Sequence, residues 1–167
     1  MENQLRHILR RHSRSLTDRL SEQLAHRSNP RHRELDRSIL SVRSRMLVEA
    51  LVRSACEGPE QLGEYVDMIA DGRLEEGFDL EDLQRALRIL EVNAWRIVAN
   101  ESTLDSLASN LTALHTTMGY ARDELARVCQ AHVYGVASRR TRDLETEEPS
   151  EDTERAALEA HSSADRG

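Results

Sequence analysis

The chain has 167 residues with a formal net charge of −7, 38% hydrophobic residues, 3% aromatic residues and only seven glycines. This length predicts one domain, and the scarcity of glycine and aromatic residues disfavours sandwich and Rossmann-type folds. The sequence has neither an apolar run of about 18 residues nor an apolar N-terminal segment, so we expect no membrane span and no signal peptide.

The charge is distributed unevenly. Residues 143–167 contain nine acidic residues and two Arg, which equals the whole net charge, so the preceding residues are neutral. Residues 1–60 contain 12 Arg interspersed with eight acidic residues, a pattern that predicts a solvated helix face and no nucleic-acid surface. The two cysteines, Cys56 and Cys129, are typical of a reducing cytosol and predict a cytoplasmic protein.

Apolar residues recur at intervals of three and four through most of the chain, as in amphipathic α-helices. The predicted fold class is therefore all-α: an up-down bundle of about five helices with a long C-terminal helix. We expect Asn29 to cap the second helix and Pro30 to occupy its first turn. The first four predicted helices cover residues 2–28, about 30–57, 59 to about 76, and about 80–99. A fifth helix is expected to begin after a cap at Ser102 or Thr103.

The second helix has a wide apolar face, which indicates a central position in the bundle. This face contains Leu35, Ile39, Val42, Met46, Ala50 and Ser54, broadened by Leu40, Leu47 and Leu51. The fourth helix has a comparable inward stripe. Its members are Leu80, Leu83, Leu87, Leu90, Ala94 and Ile97, widened by Trp95 and Val98.

Residues 77–79 predict a tight corner between the third and fourth helices. Gly77 suits the position just after a helix, where the backbone takes a positive φ. Asp79 is a favourable N-cap residue, because its carboxylate accepts hydrogen bonds from the backbone of the first turn. Phe78, the only Phe in the chain, has the spacing of a hydrophobic staple with Leu83, so we expect it to be buried.

The fifth helix carries a long apolar stripe with the spacing of a coiled coil. Its members are Leu104, Leu107, Leu111, Leu114, Met118, Ala121, Leu125, Val128 and His132. We expect its C-terminal part to be an interaction helix that pairs with another subunit or a partner. That part contains Leu114, Met118, Leu125, Val128 and His132. The helical domain is expected to cover residues 1–140, and the acidic residues 141–167 to form a disordered tail.

The sequence contains none of the motifs G-x-x-x-x-G-K-[ST], G-x-G-x-x-G, H-E-x-x-H or G-x-S-x-G. No His has a Glu three residues before it, which disfavours a di-iron bundle. Cys129 and His132 lie three residues apart on one predicted helix, but two ligands do not make a zinc site. We interpret them as a packed thiol and a core or interface histidine, and we predict no enzyme activity, no cofactor and no metal.

Two alternatives based on histidine stay open. A globin-like bundle can place a histidine inward as a haem ligand, with His12 or His132 as candidates, although aromatic residues are scarce for lining such a pocket. The other is phosphotransfer. The run from His115 to Gly119 resembles histidine phosphotransfer domains, in which an exposed His is followed by Lys and Gly at the third and fourth positions. Met118 stands here in place of the Lys, and the resemblance implies a phosphotransfer protein that uses His115.

A second resemblance covers more of the chain, from about residue 16 to residue 140. The run Arg73-Leu74-Glu75-Glu76-Gly77-Phe78, followed by Leu80, Leu83, Ala86, Leu87 and Leu90, carries it. This pattern is similar to the N-terminal helical domain of RsbR/RsbRD-type proteins, the RsbT co-antagonists of bacterial stressosomes. The resemblance implies a globin-like or bundle-like helical sensor and interaction domain that dimerises and has no catalytic residues. Because the acidic residues after 140 are no counterpart to the STAS domain of stressosome proteins, it implies a free-standing regulatory or adaptor subunit.

We therefore expect a non-catalytic bacterial signalling module of a stress response that acts through protein–protein interaction. It is expected to form a homodimer and to bind protein partners of its pathway, with changes in helix packing transmitted along the fifth helix. Neither nucleic acid nor a membrane is expected as a partner.

Overall fold

The computed structural model describes residues 4–27 and 37–146, and every regular element in these two ranges is an α-helix. The all-α fold class is confirmed for this part of the chain. None of the described helices is long and apolar enough to cross a membrane. The helices are α1 (Gln4–Arg11), α2 (Ser13–Arg27), α3 (Arg37–Glu57), α4 (Glu60–Glu75), α5 (Leu80–Glu101) and α6 (Leu104–Thr146).

The first predicted helix is divided in two at His12. α1 ends at Arg11 and α2 begins at Ser13, although backbone hydrogen bonds continue across the break. The Ser13 hydroxyl donates to the Arg10 carbonyl at 2.9 Å, and bonds of this kind compete with the regular pattern of a helix. The single helix predicted over residues 2–28 is therefore wrong at this point.

Two further boundaries concern the ends of the described ranges. The predicted helix start at Asn29 and Pro30 lies outside the described residues, as does Leu35. α6 continues to Thr146, so residues 141–146 are helical where the acidic tail was expected to begin. The rest of that predicted tail, residues 147–167, lies outside the described residues and stays a prediction.

The chain divides into two units, Met1–Gln130 and Ala131–Gly167. In the first unit a single apolar core receives buried side chains from all six helices. α1 and α2 each pack against both α3 and α5, and α3 packs against α4. Each fully buried Leu contributes about 1.5–3 kcal/mol relative to an exposed one, so this core supplies most of the stability of the helices. The largest fully buried side chains include Leu9, Leu16, Leu20, Leu51, Leu62, Leu90, Leu114, Met118 and Leu125.

α3 buries only part of the predicted face: Leu40, Leu47, Ala50, Leu51 and Ser54 are buried as expected. Ile39, Val42 and Met46 were expected on the inward face, but they are 44%, 45% and 41% exposed. The helix is apolar on two sides, and its periodicity alone does not tell which side meets the core. The residues that point inward are Leu40, Ser44, Leu47, Val48, Ala50, Leu51, Ser54 and Ala55.

In the second unit the described residues, 131–146, form the last part of α6. His132 is half-buried there, whereas Val133 and Tyr134 are 64% and 65% exposed.

Candidate interaction surfaces

The corner between α4 and α5 begins with a Schellman motif. The Phe78 amide donates to the Arg73 carbonyl and the Gly77 amide donates to the Leu74 carbonyl, both at 3.0 Å. These two bonds satisfy carbonyls that the end of a helix otherwise leaves unpaired. Gly77 has a φ of +87°, a left-handed conformation that costs other residues about 1–2 kcal/mol.

α5 starts with a reciprocal capping box. The Asp82 amide donates to the Asp79 carboxylate at 2.8 Å, and the Asp79 amide donates to the Asp82 carboxylate at 3.4 Å. Asp82 therefore takes the place that Glu or Gln usually has three residues after the cap. Both carboxylates lie at the positive end of the helix dipole, which stabilises them. Hydrogen bonds within the corner thus fix both the end of α4 and the start of α5.

Phe78 is buried beneath this corner, with 6% of its surface exposed. The guanidinium group of Arg43, from α3, lies over its ring at 5.9 Å from the ring centroid. Arg43 also donates to the Glu76 carboxylate at 3.0 Å, and Arg73 donates to the same carboxylate at 3.1 Å. Charged groups therefore attach the corner to both α3 and α4, and Gly77, Phe78 and Asp79 set the direction of α5.

The interaction helix predicted on α6 is mostly internal. Leu114, Met118, Leu125 and Val128 are between 0% and 7% exposed and belong to the core of the first unit. A second subunit would reach these four side chains only if that core opened, and their role as an interface stays a prediction. Coiled-coil spacing is also the spacing with which a helix packs inside its own bundle, and the sequence does not separate the two. His132 belongs to the second unit.

One exposed apolar surface lies on α3, and we call it the α3 row: Ile39, Val42 and Met46. Their spacing of three and four places them on one side of the helix. Beside the row, Arg45 and Glu49 form an ion pair at 3.8 Å. The row is therefore apolar and its charged neighbours are balanced.

A second exposed apolar surface is a shallow groove along the outside of α5. We call it the α5 groove, and its apolar part is formed by Val92, Trp95 and Ala99 together with His115 of α6, around a volume of about 470 Å³. Val92 is 42% exposed and Trp95 41% exposed, so the expectation that Trp95 widens the inward stripe is wrong. Two further depressions share Val92 and continue along α5 as far as Glu81, and we include them in the groove.

The structure places the candidate phosphotransfer histidine, His115, on the surface of α6. A side chain added at Gly119 would meet no atom within 4 Å, so the surface beside this glycine is open. Met118 is fully buried, so the position that holds Lys in phosphotransfer domains is directed into the core. Arg96 lines the same groove as His115 and presents a cation on that side.

Cys129 and His12 are the remaining residues that the sequence suggested as possible ligands. Burial raises the pKa of the Cys129 thiol, which is 7% exposed. His12, at the break between α1 and α2, has its Nε2 atom 3.5 Å from the Glu101 carboxylate. Within residues 4–27 and 37–146, no group of three or more His, Cys, Asp or Glu side chains is placed to hold a metal ion.

Three comparisons with known proteins gave the same result. No protein-family model matches the chain, no curated protein matches it, and no solved structure matches it.

Proposed function

We propose that the chain is a non-catalytic cytoplasmic module of a bacterial signalling pathway, a sensor or adaptor of the stressosome type that binds proteins and forms a homodimer. The α3 row is the observation that carries this proposal. The resemblance around Gly77 and Phe78 supports it, and with it the finer description of the first unit as a globin-like or up-down bundle.

The α3 row suits a second copy of the same chain. Ile39, Val42 and Met46 lie in line and are each more than two-fifths exposed, whereas isolated apolar residues are the norm on the surface of a monomer. A two-fold axis would bring the same row of two copies together. The balanced pair of Arg45 and Glu49 beside the row keeps like charges from repelling in that arrangement.

The row is also connected to the corner. Val42 is followed by Arg43, whose guanidinium contacts both Phe78 and Glu76. A partner that changes the position of α3 would therefore act on the start of α5 through a single side chain. Such a partner shifts helix packing only as far as its affinities for the two arrangements differ.

Light scattering coupled to size-exclusion chromatography tests the dimer. We expect the wild-type chain to have the mass of two copies and the variant Val42→Glu/Met46→Glu to have the mass of one. Both positions are exposed, so the variant is expected to keep its helical circular dichroism and its melting temperature to within a few degrees.

The matched control for this test is Leu104→Glu, which places the same charge on an apolar residue that is 93% exposed on another helix. This variant is expected to remain a dimer. A wild-type chain that is monomeric at tens of micromolar, or a row variant that still dimerises, would contradict the proposal.

A second candidate function is phosphotransfer by His115. The exposure of His115, the open surface at Gly119 and the cation of Arg96 in the same groove favour it. The buried Met118 weighs against it, because it leaves Arg96 to hold the phosphoryl oxygens alone.

Incubation with a phosphorylated response regulator separates the two functions. Phosphotransfer predicts an acid-labile label on the wild-type chain and none on His115→Gln. The binding module predicts no label on either, with dimerisation unaffected by the substitution.

A further inference from the structure

The α5 groove carries more cationic than anionic charge along its rim. Arg85 is paired with Glu81 at 2.5 Å, and Arg122 is paired with Glu91. Arg88 and Arg96 are exposed, and neither forms an ion pair with a described residue. The two acidic side chains of the groove are therefore already neutralised, and two guanidinium groups are left to meet an acidic partner.

The apolar floor and the two cations follow the same line. Arg88, Val92, Trp95 and Ala99 are spaced three or four residues apart along the outer side of α5, and Arg96 lies four residues after Val92. With a rise of 1.5 Å per residue, the distance along the helix from Arg88 to Arg96 is about 12 Å. This length corresponds to a little more than two turns of a second helix lying alongside, which is the geometry of helix-in-groove recognition.

A second copy of this chain does not suit the groove. A two-fold axis would bring the groove of one copy against the groove of the other, and Arg88 and Arg96 would face the same two arginines of the second copy. Like charges that face each other across an interface weaken it, whereas the carboxylates of an acidic partner would attract the two arginines. A nucleic acid would offer phosphates to the two cations but no apolar side chains to cover Val92 and Ala99.

We propose that the α5 groove binds an acidic amphipathic helix of a partner protein. The apolar side of that helix covers Val92, Trp95 and Ala99, and its carboxylates pair with Arg88 and Arg96. This inference rests on the proposed role of the chain as a binding module, but it uses another face than the α3 row.

Trp95 is the only Trp in the chain, so its fluorescence reports the groove directly. The probe is a designed peptide of about 18 residues with Leu at helical spacing i, i+3, i+4 and i+7 and Glu at most other positions. On titration we expect a saturable blue shift of the Trp95 emission, because docking removes water from the indole. The affinity is expected to fall as salt rises.

Three peptides and one pair of variants distinguish recognition from charge attraction. A scrambled peptide of the same composition and a peptide with Lys in place of Glu are both expected to bind at least about tenfold more weakly, consistent with loss of the apolar face or of charge complementarity. Arg88→Glu/Arg96→Glu is expected to weaken binding of the designed peptide by at least about tenfold. Arg45→Glu/Arg53→Glu, the same charge change on α3, is expected to leave binding within about twofold.

Several outcomes would overturn the inference. They are an absence of saturable binding, equal binding of the designed and scrambled peptides, and no effect of Arg88→Glu/Arg96→Glu. Tighter binding of a peptide with the sequence of residues 147–167 would assign the groove to the chain itself, and tighter binding of a single-stranded oligonucleotide would assign it to nucleic acid.

The test is separate from that of the dimer. Val42→Glu/Met46→Glu keeps the α5 groove intact, so it is expected to bind the designed peptide as the wild-type chain does. A failure to dimerise with normal peptide binding contradicts only the role of the α3 row, and a normal dimer without peptide binding contradicts only the role of the α5 groove.

Discussion

The guanidinium group of Arg43 lies 5.9 Å from the centre of the Phe78 ring and thereby joins the middle of α3 to the turn that starts α5. Phe78 is buried, although it does not belong to the main apolar core. Because Arg43 also bonds Glu76, one side chain holds the aromatic ring and the end of α4 together.

A double-mutant cycle measures this contact. Arg43→Met keeps the aliphatic stem and Phe78→Leu keeps an apolar side chain, so each removes one partner of the cation–π interaction. We expect a coupling free energy of about 0.5–1 kcal/mol in favour of the wild-type pair. Urea denaturation of the four proteins gives this value, and the loss of the Glu76 bond cancels because it occurs in both Arg43→Met proteins. A coupling of zero would show that the ring and the guanidinium are neighbours without interacting.

The cap of α5 gives a second prediction. Asp79→Ala removes the carboxylate that accepts from the Asp82 amide and is expected to lower the free energy of unfolding by about 1 kcal/mol. Asp79→Ser keeps an oxygen in the same place and is expected to recover most of that loss. The comparison is made by urea denaturation at neutral pH. Equal losses in Ala and Ser would mean that the hydrogen bond does not stabilise the helix.

The corner was visible in the sequence because its determinants are local. A Gly that takes a positive φ, an Asp that caps the next helix, and an aromatic residue between them are consecutive in the chain. The reciprocal bond from the Asp79 amide to the Asp82 carboxylate was not predicted. The contact of Arg43 with Phe78 was not visible, because it joins residues 35 positions apart in sequence and depends on how α3 packs.

The apolar surfaces were harder to predict for a related reason. Ile39 and Leu40 are neighbours on a helix that is apolar on two sides, and only the tertiary packing makes Leu40 buried and Ile39 exposed. On α6 the same ambiguity had the opposite result, since Leu114 and Leu125 look like a coiled-coil seam but fill the core of their own unit. The spacing of apolar residues shows which side of a helix is apolar, but it does not show what packs against that side.

Two glycines are predicted to respond oppositely to the same substitution. Gly77→Ala forces a residue with a Cβ into a φ of +87° and is expected to destabilise the protein by about 1–2 kcal/mol. Gly119→Ala lies inside α6, where an added Cβ would meet no atom within 4 Å, and is expected to stabilise by about 0.5–1 kcal/mol. Thermal denaturation of the two variants beside the wild-type chain tests both signs, and a stabilising Gly77→Ala would contradict the Schellman geometry.

The two cysteines are predicted to differ in reactivity. Cys56 is exposed, whereas Cys129 is buried and burial raises the pKa of its thiol above the ordinary value of 9.0. In the folded protein Cys129 therefore keeps its proton at a pH where the unfolded chain has begun to lose it. This group therefore makes the protein less stable as the pH rises through and beyond that ordinary value.

At pH 8 we expect iodoacetamide to modify Cys129 at least about tenfold more slowly than Cys56, because the thiolate is the reactive form and the site must open first. The variant Cys56→Ser isolates the slow reaction and Cys129→Ser the fast one, and in denaturant the two rates should converge. Equal rates in the native protein would mean that the end of the apolar core near Val128 opens freely, and the burial of α6 in the first unit would then have to be reconsidered.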